Sequence, residues 1–143
     1  MLLTNLARGS LACLSLLNFF KYGQPAYSLV LLYQGISLLS KNSYDIIHCQ
    51  FGTLGLMGLL FRNLGILKGN LIITFRGYDI SSFVRKRGDR VYEQLFAEGD
   101  FFLANCEFFR QQAIDLGCDE KKIIVHGSGI DCSKFGFRKR YFP

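Results

Sequence analysis

The rhythm of apolar and polar positions changes once along this 143-residue chain. Between Ala26 and Ser40 the residues Leu29, Leu32, Tyr33, Ile36 and Leu39 recur at three- and four-residue steps, which predicts a helix with one buried face. Pro25 suits the first turn of that helix, where a missing N–H costs nothing. A second helix is expected before it, over Leu2–Phe20. From Tyr44 onward the apolar residues bunch into four short runs: "DIIHCQ" (Asp45–Gln50), "LIITF" (Leu71–Phe75), "FFLAN" (Phe101–Asn105) and "IIVHG" (Ile123–Gly127). Each is nearly continuous rather than alternating, as expected of strands covered on both faces of a parallel sheet. The gaps hold helical candidates at Leu54–Leu67, at Asp89–Glu98 with Asp89 as N-cap, and at Glu107–Leu116. Asn105 or Cys106 would cap the last of these and Gly117 would stop it. Strand alternating with helix predicts an α/β fold, a Rossmann-like parallel sheet of about four strands with helices on both faces.

In such a sheet every strand ends on the same edge, and ligands bind in the crevice outside that edge. Four exits therefore matter. The first carries His48, Gln50, Gly52 and Thr53, the second Arg76, Gly77, Tyr78 and Asp79. Asn105 and Glu107 leave the third, and Gly127, Ser128, Gly129 and Asp131 the fourth. Gly77 lets the backbone turn close to a ligand, and the planar fork of Arg76 can clamp a phosphate or carboxylate. Asp79 can accept from hydroxyls; the bland alternative is that Arg76 and Asp79 pair and order the loop. "FGTLG" (Phe51–Gly55) stands where free helix amides favour an anion, and "GSGID" (Gly127–Asp131) can form an anion-binding nest or a plain turn. His48 is a candidate base, a sugar-hydroxyl ligand or a satisfied core histidine.

Charge narrows the partners. The formal net charge of +6 points to an anionic partner, and "VRKRGDR" (Val84–Arg90) with "FRKRY" (Phe137–Tyr141) holds seven of the seventeen basic residues. Solvated faces are the bland reading of both runs; the first can also attract anionic lipid or a pyrophosphate-linked acceptor. No nucleic-acid motif with the expected aromatic or zinc spacing is present, so nucleic acid is not expected as a partner. Five cysteines, odd in number and without a CxxC pair, suit a reducing cytoplasmic setting. Together with His48 and His126 they match no common zinc spacing, so no metal is expected. The run "LACLSLLNFF" (Leu11–Phe20) is too short to span a bilayer and lacks a small-x-small cleavage site after it.

With these residues collected, the chain resembles the retaining glycosyltransferases of the GT-B fold, family 4 or group 1, and among them bacterial members that build exopolysaccharide or lipopolysaccharide. The resemblance rests on "YDIIHCQFGTLG", "LIITFRGYDIS", "LFAEGDFFLANCEFFRQQAIDLGCDEKKIIVHGSGIDCSKF" and "FRKR", in order from about Tyr44 to Arg140. It implies that residues 1–143 form part of the N-terminal, acceptor-side domain: a helical lead-in over 1–43 and a βα repeat region over 44–143. The opening strands would precede Met1, and the C-terminal donor domain, with its Arg/Lys pair and Glu-x7-Glu element, is not found in this sequence. "DIIHCQ" would then pair with a first strand that lies before this chain.

The activity implied is transfer of a sugar from a nucleotide-sugar donor to a saccharide or lipid-linked acceptor, with the donor as substrate, no cofactor, and the chain alone inactive. His48, Arg76 and Asp79 are the catalytic candidates; Gln50, Gly52, Thr53, Gly77, Tyr78, Glu107, Ser128, Gly129 and Asp131 are the candidates for substrate or donor binding. Gln50 stands where many relatives have the second histidine of His-x-His, and Arg76 where many have a histidine before Gly-x-Asp. "GSGID" replaces an Asn-Gly-hydrophobic-Asp turn near the donor phosphates. The implied location is the cytoplasm, peripheral at the inner face of the plasma membrane, with a missing domain or partner chain completing the enzyme. A non-catalytic remnant that binds a partner or a membrane is the rival reading. A small nucleotide-binding Rossmann protein is disfavoured, since GxGxxG and its following acidic residue are absent.

Overall fold

The computed structural model describes residues 30–38 and 43–136. The helix expected over Leu2–Phe20 and the basic run at Phe137–Tyr141 lie outside the described residues. A helix α1 (Val30–Leu38) leads into β1 (Ser43–Cys49), α2 (Gly52–Asn63) and β2 (Lys68–Phe75). Then come α3 (Ser82–Arg87), a 3-10 turn at Asp89–Tyr92, α4 (Glu93–Glu98), β3 (Phe101–Ala104), α5 (Glu107–Asp115) and β4 (Ile123–Val125). The strands form one parallel sheet in the order β1-β2-β3-β4, with His48 beside Ile72, Ile73 beside Phe102 and Leu103 beside Ile124. The expected Rossmann-like α/β fold is therefore present.

Strands added in sequence order through right-handed crossovers place their connecting helices on one face. The core agrees. Leu59 of α2, Val84 of α3, Leu95 and Phe96 of α4 and Ala113 of α5 pack in one cluster with Leu71, Ile73, Phe75, Phe102, Ala104 and Ile123. Strand side chains alternate, so His48, Thr74 and Leu103 belong to the opposite face. On that face Ile46 is 57% exposed and Ile124 49%, where the continuous apolar runs predict cover on both sides. Among the described residues β1 is an edge strand.

Helix α2 comes unusually close to the sheet because Gly52, Gly55 and Gly58 recur every third residue on its inner side. A Cβ at Gly52 would stand 2.6 Å from the Phe75 ring and 2.6 Å from the Tyr92 hydroxyl; at Gly55 it would stand 2.8 Å from Ile73, and at Gly58 2.9 Å from the Cys49 sulfur. Only hydrogen fits there. Two expectations about helix ends differ from the structure. Leu54–Leu67 begins at Gly52 and stops at Asn63, with Gly65 in the left-handed region at φ 73° ending it. Asp89 does not cap an α-helix: the chain pauses at Gly88 (φ 95°), runs a 3-10 turn and only then becomes helical at Glu93.

Candidate functional site

The second strand exit builds the site, because its turn is held from inside. After Phe75 the backbone reaches Gly77 at φ 142°, a conformation suited to glycine, and the Gly77 carbonyl accepts from Ile80 N–H, Ser81 N–H and the Ser81 hydroxyl. Asp79 is fully buried and points back under this turn. One carboxylate oxygen accepts the amides of Arg76 (3.1 Å) and Gly77 (3.0 Å); the other accepts the amide of Gly52 at 2.8 Å. The Tyr92 hydroxyl donates to the Asp79 carbonyl. Burial, with Asp79 nearby, pushes the Tyr92 hydroxyl well above the usual phenol range.

This arrangement alters the sequence-based picture of three residues. The N-terminal amide of α2, expected to meet a ligand anion, meets the carboxylate of Asp79, which ties the first exit to the second. Asp79 orders the loop as the bland alternative had it, but through backbone amides rather than through the Arg76 side chain. Among the described residues the Arg76 guanidinium makes no ion pair.

Over the freed guanidinium lies a pocket of about 220 Å³ that touches all four strand exits. Its walls are His48 and Gln50 from β1, Thr74 and Arg76 from β2, Asn105 after β3, and His126, Gly127, Ser128 and Gly129 after β4. Among the described residues no carboxylate lines it. The His48 Nε2 stands 2.7 Å from the Thr74 hydroxyl. The Gln50 amide nitrogen lies 3.2 Å from His48 Nδ1 and 3.3 Å from Nε2, within hydrogen-bond reach of both. Asn105 donates from its side chain to the Arg76 carbonyl, bracing the second exit from the third. The volume suits one sugar ring or a pyrophosphate and falls short of the range for larger ligands, which starts at about 300 Å³.

Of the residues singled out from the sequence, the fold brings His48, Gln50, Arg76, Ser128 and Gly129 together around this pocket. Gly52 and Thr53 stand in the first turn of α2, and Gly77 and Asp79 shape the turn beneath. Tyr78 is 59% exposed on the rim, with Lys86 5.9 Å above its ring. Glu107 is exposed and paired with Arg110 at 2.8 Å. Asp131 accepts from the Ser133 hydroxyl and amide, and these bonds hold its carboxyl below the usual carboxylate range, with Lys134 adding to the effect. The sequence reading passes over Thr74. Its signal is the alternation within "LIITF", which sets Thr74 on the face opposite Ile73 and Phe75. Nothing in the sequence points to Tyr92.

Among the described residues no three His, Cys, Asp or Glu side chains are grouped to hold a metal ion, and no helix is long and apolar enough to cross a membrane.

Residues 8–134 match the family model described as Glycosyltransferase Family 4. WcaL of Salmonella typhimurium, whose name assigns it to colanic acid biosynthesis as a glycosyltransferase, is 32% identical over 128 residues, 89% of this chain and 32% of the relative. WcaL of Escherichia coli is 30% identical over 123 residues, 85% of this chain and 30% of its own length. AmsK of Erwinia amylovora, named as an amylovoran biosynthesis glycosyltransferase, is 31% identical over 123 residues, 84% of this chain and 30% of its own. The chain thus spans about a third of the length of the curated relatives it matches. No solved structure gives a significant match.

Proposed function

The chain belongs to glycosyltransferase family 4, and on that premise we propose that its four strand exits form the acceptor-side wall of a GT-B cleft. The reaction is retaining transfer of a sugar from a nucleotide-sugar donor to a saccharide or lipid-linked acceptor in polysaccharide biosynthesis. The carrying observation is the pocket itself: two imidazoles, a Gly-Ser-Gly turn and a guanidinium without an ion-pair partner among the described residues converge on it, and among those residues no carboxylate opposes an anionic ligand. As the bond from the sugar to the diphosphate breaks, negative charge grows on the leaving oxygen, and donors already fixed in place stabilise it without reorganising. Arg76 and the turn at Ser128–Gly129 take this role, His48 contacts the sugar, and Asp79 and Gly77 hold the loop that presents Arg76. No metal takes part. Nucleotide contacts come from a second domain or partner chain, so these residues alone do not turn over.

The enzyme works at the cytoplasmic side of an anionic membrane. Arg85, Lys86 and Arg87 are exposed on α3, carry no carboxylate partner among the described residues, and stand beside exposed Tyr78.

The test is reconstitution. The chain is mixed with a polypeptide supplying the remaining two-thirds of one of the relatives, and transfer from a panel of labelled nucleotide sugars to a lipid-linked acceptor is followed. Transfer that needs both pieces, and falls at least tenfold with Arg76→Gln, supports the reading. Turnover by the chain alone overturns its dependence on a second domain. Binding to anionic vesicles with no transfer in any mixture favours a non-catalytic membrane-binding remnant.

A further inference from the structure

We propose that the chain docks on an anionic membrane with its strand-exit edge foremost: an apolar rim of Phe51, Leu54, Tyr78 and Phe108 enters the interface, and the cations of α3 meet lipid phosphates beside it. This deepens the membrane reading above, on which it rests, by naming the surface and the way the pocket then faces. All four rim residues are exposed, Phe108 by 65% and Tyr78 by 59%. Single exposed apolar side chains are ordinary, whereas a connected group of them marks an interaction site. Here the packing connects them. Phe51 and Leu54 stand three residues apart at the start of α2. The Gly52 amide, next to Phe51, donates to Asp79, the neighbour of Tyr78. On the other side a Cβ at Gly77 would stand 3.4 Å from the Phe109 ring, which meets the Phe108 ring edge-on at 5.4 Å.

Charge decides the occupant. Arg85, Lys86 and Arg87 form the last turn of α3 without a carboxylate partner among the described residues, and Lys86 Nζ lies 5.9 Å over the Tyr78 ring. Of the carboxylates along this edge, Asp79 is buried and Glu107 is paired with Arg110. Asp89, two residues past α3, leaves the segment net positive. Aromatic rings beside cations match a headgroup layer, where rings settle at the boundary and cations meet phosphate. A second copy of the chain fits worse, because a two-fold interface sets the same patch against itself and the α3 cations would face their own kind. Arg76 lies two residues before Tyr78 and Asn105 three before Phe108, so two walls of the pocket begin at the rim. The phosphate of a lipid-linked acceptor then reaches the pocket along the headgroup plane, without leaving the membrane.

The chain has no tryptophan, so a single introduced one reports its own surroundings. Tyr78→Trp and Phe108→Trp are made in the full 143-residue chain, with Ser43→Trp at the opposite end of β1 as the control. Each is mixed with phosphatidylcholine vesicles with or without phosphatidylglycerol, and with spin-labelled acyl chains as quencher. The expected result is blue-shifted, quenched emission from positions 78 and 108, none from 43, and only with the anionic vesicles. Cosedimentation gives the affinities. Replacing Arg85, Lys86 and Arg87 by Gln lowers binding about a hundredfold, at about fivefold per cation. Tyr78→Ser with Phe108→Ser lowers it at least about tenfold, and that loss persists at high ionic strength, where the cations are screened. Circular dichroism confirms folding, and the tryptophan series carries the test should the serine variant not fold. Binding to anionic vesicles without quenching at 78 or 108 overturns the rim and leaves the membrane reading standing; no binding to any vesicle overturns both. A dimer that Tyr78→Ser dissolves, without quenching by lipid, assigns the rim to a second copy and overturns the proposal.

Discussion

Replacing Asp79 by asparagine tests the idea that one buried carboxylate holds two strand exits together. Its two oxygens accept three backbone amides at 2.8, 3.0 and 3.1 Å, and the side chain is fully buried. Asparagine keeps one oxygen. Turned toward Arg76 and Gly77, it presents its NH2 group to the Gly52 amide, and two donors face each other without water. One charge-assisted hydrogen bond is lost, at about 1.5–3 kcal/mol, and an unsatisfied buried donor adds about 1–3 kcal/mol. The two surviving bonds weaken as the acceptor loses its charge. We expect a loss of about 3–5 kcal/mol, a large part of the ~5–15 kcal/mol that stabilises a typical domain. Asp79→Ala strands all three amides and costs more. Urea unfolding followed by far-ultraviolet circular dichroism gives the midpoint and slope, and hydrogen exchange at Gly52 reports the local contact. A variant within about 1 kcal/mol of wild type, with unchanged slope and a still-protected Gly52 amide, would refute the reasoning.

Three further outcomes follow from the packing and the titrating groups. Gly55→Val forces two γ-carbons toward Ile73 and Leu95; overpacking of about 1–3 kcal/mol outweighs the helix-propensity gain of about half a kcal/mol, and thermal unfolding should shift down by several degrees. The Cys118 thiol is pushed up to about 12 by burial, with Asp119 adding and Lys122 opposing. Against an ordinary value of 9.0 this leaves about a thousandfold less thiolate at pH 8, so mass spectrometry should find Cys118 alkylated by iodoacetamide only on unfolding. The folded pKa of Asp131 is depressed, so its turn is intact above the ordinary carboxylate value of 3.8 and is lost as pH falls through the lower folded value. The Ser133 amide shift should titrate below 3.8, and a midpoint at or above it would contradict the hydrogen bonds to Asp131.

The strand bodies are legible because a parallel strand under helices needs an unbroken apolar run, and "LIITF" and "FFLAN" supply it. Their starts are not. Lys68, Gly69 and Asn70 are polar or small, yet extend β2 because Ser43 and Ile46 of β1 pair alongside Lys68 and Asn70. Helix α3 escapes the periodicity because it is six residues long and half cationic. At the site, exit residues can be gathered from sequence because parallel strands finish at one edge. Which way each points cannot, since Asp79 turns inward only because the Gly52 amide arrives beneath it from another crossover. Alternation along β2 carries the remaining information, with Thr74 on the pocket side between Ile73 and Phe75.

The four walls of the pocket differ in how they are anchored, and that difference sets which of them yields. Asp79 rivets the first two exits to each other, and Asn105 braces the third against Arg76. Beyond the three residues of β4, the fourth is joined to the sheet by the His126 amide on the Ala104 carbonyl, and two glycines flank Ser128 after it. Three sides act as a jaw and the fourth as a tongue. If the pocket takes the ligand proposed above, one of different girth would be met by moving Gly127–Gly129 alone, at an entropic cost confined to a few residues. On that proposed reading, exchanging the short segment between relatives would be the economical way to retune what the pocket accepts, leaving the riveted side untouched.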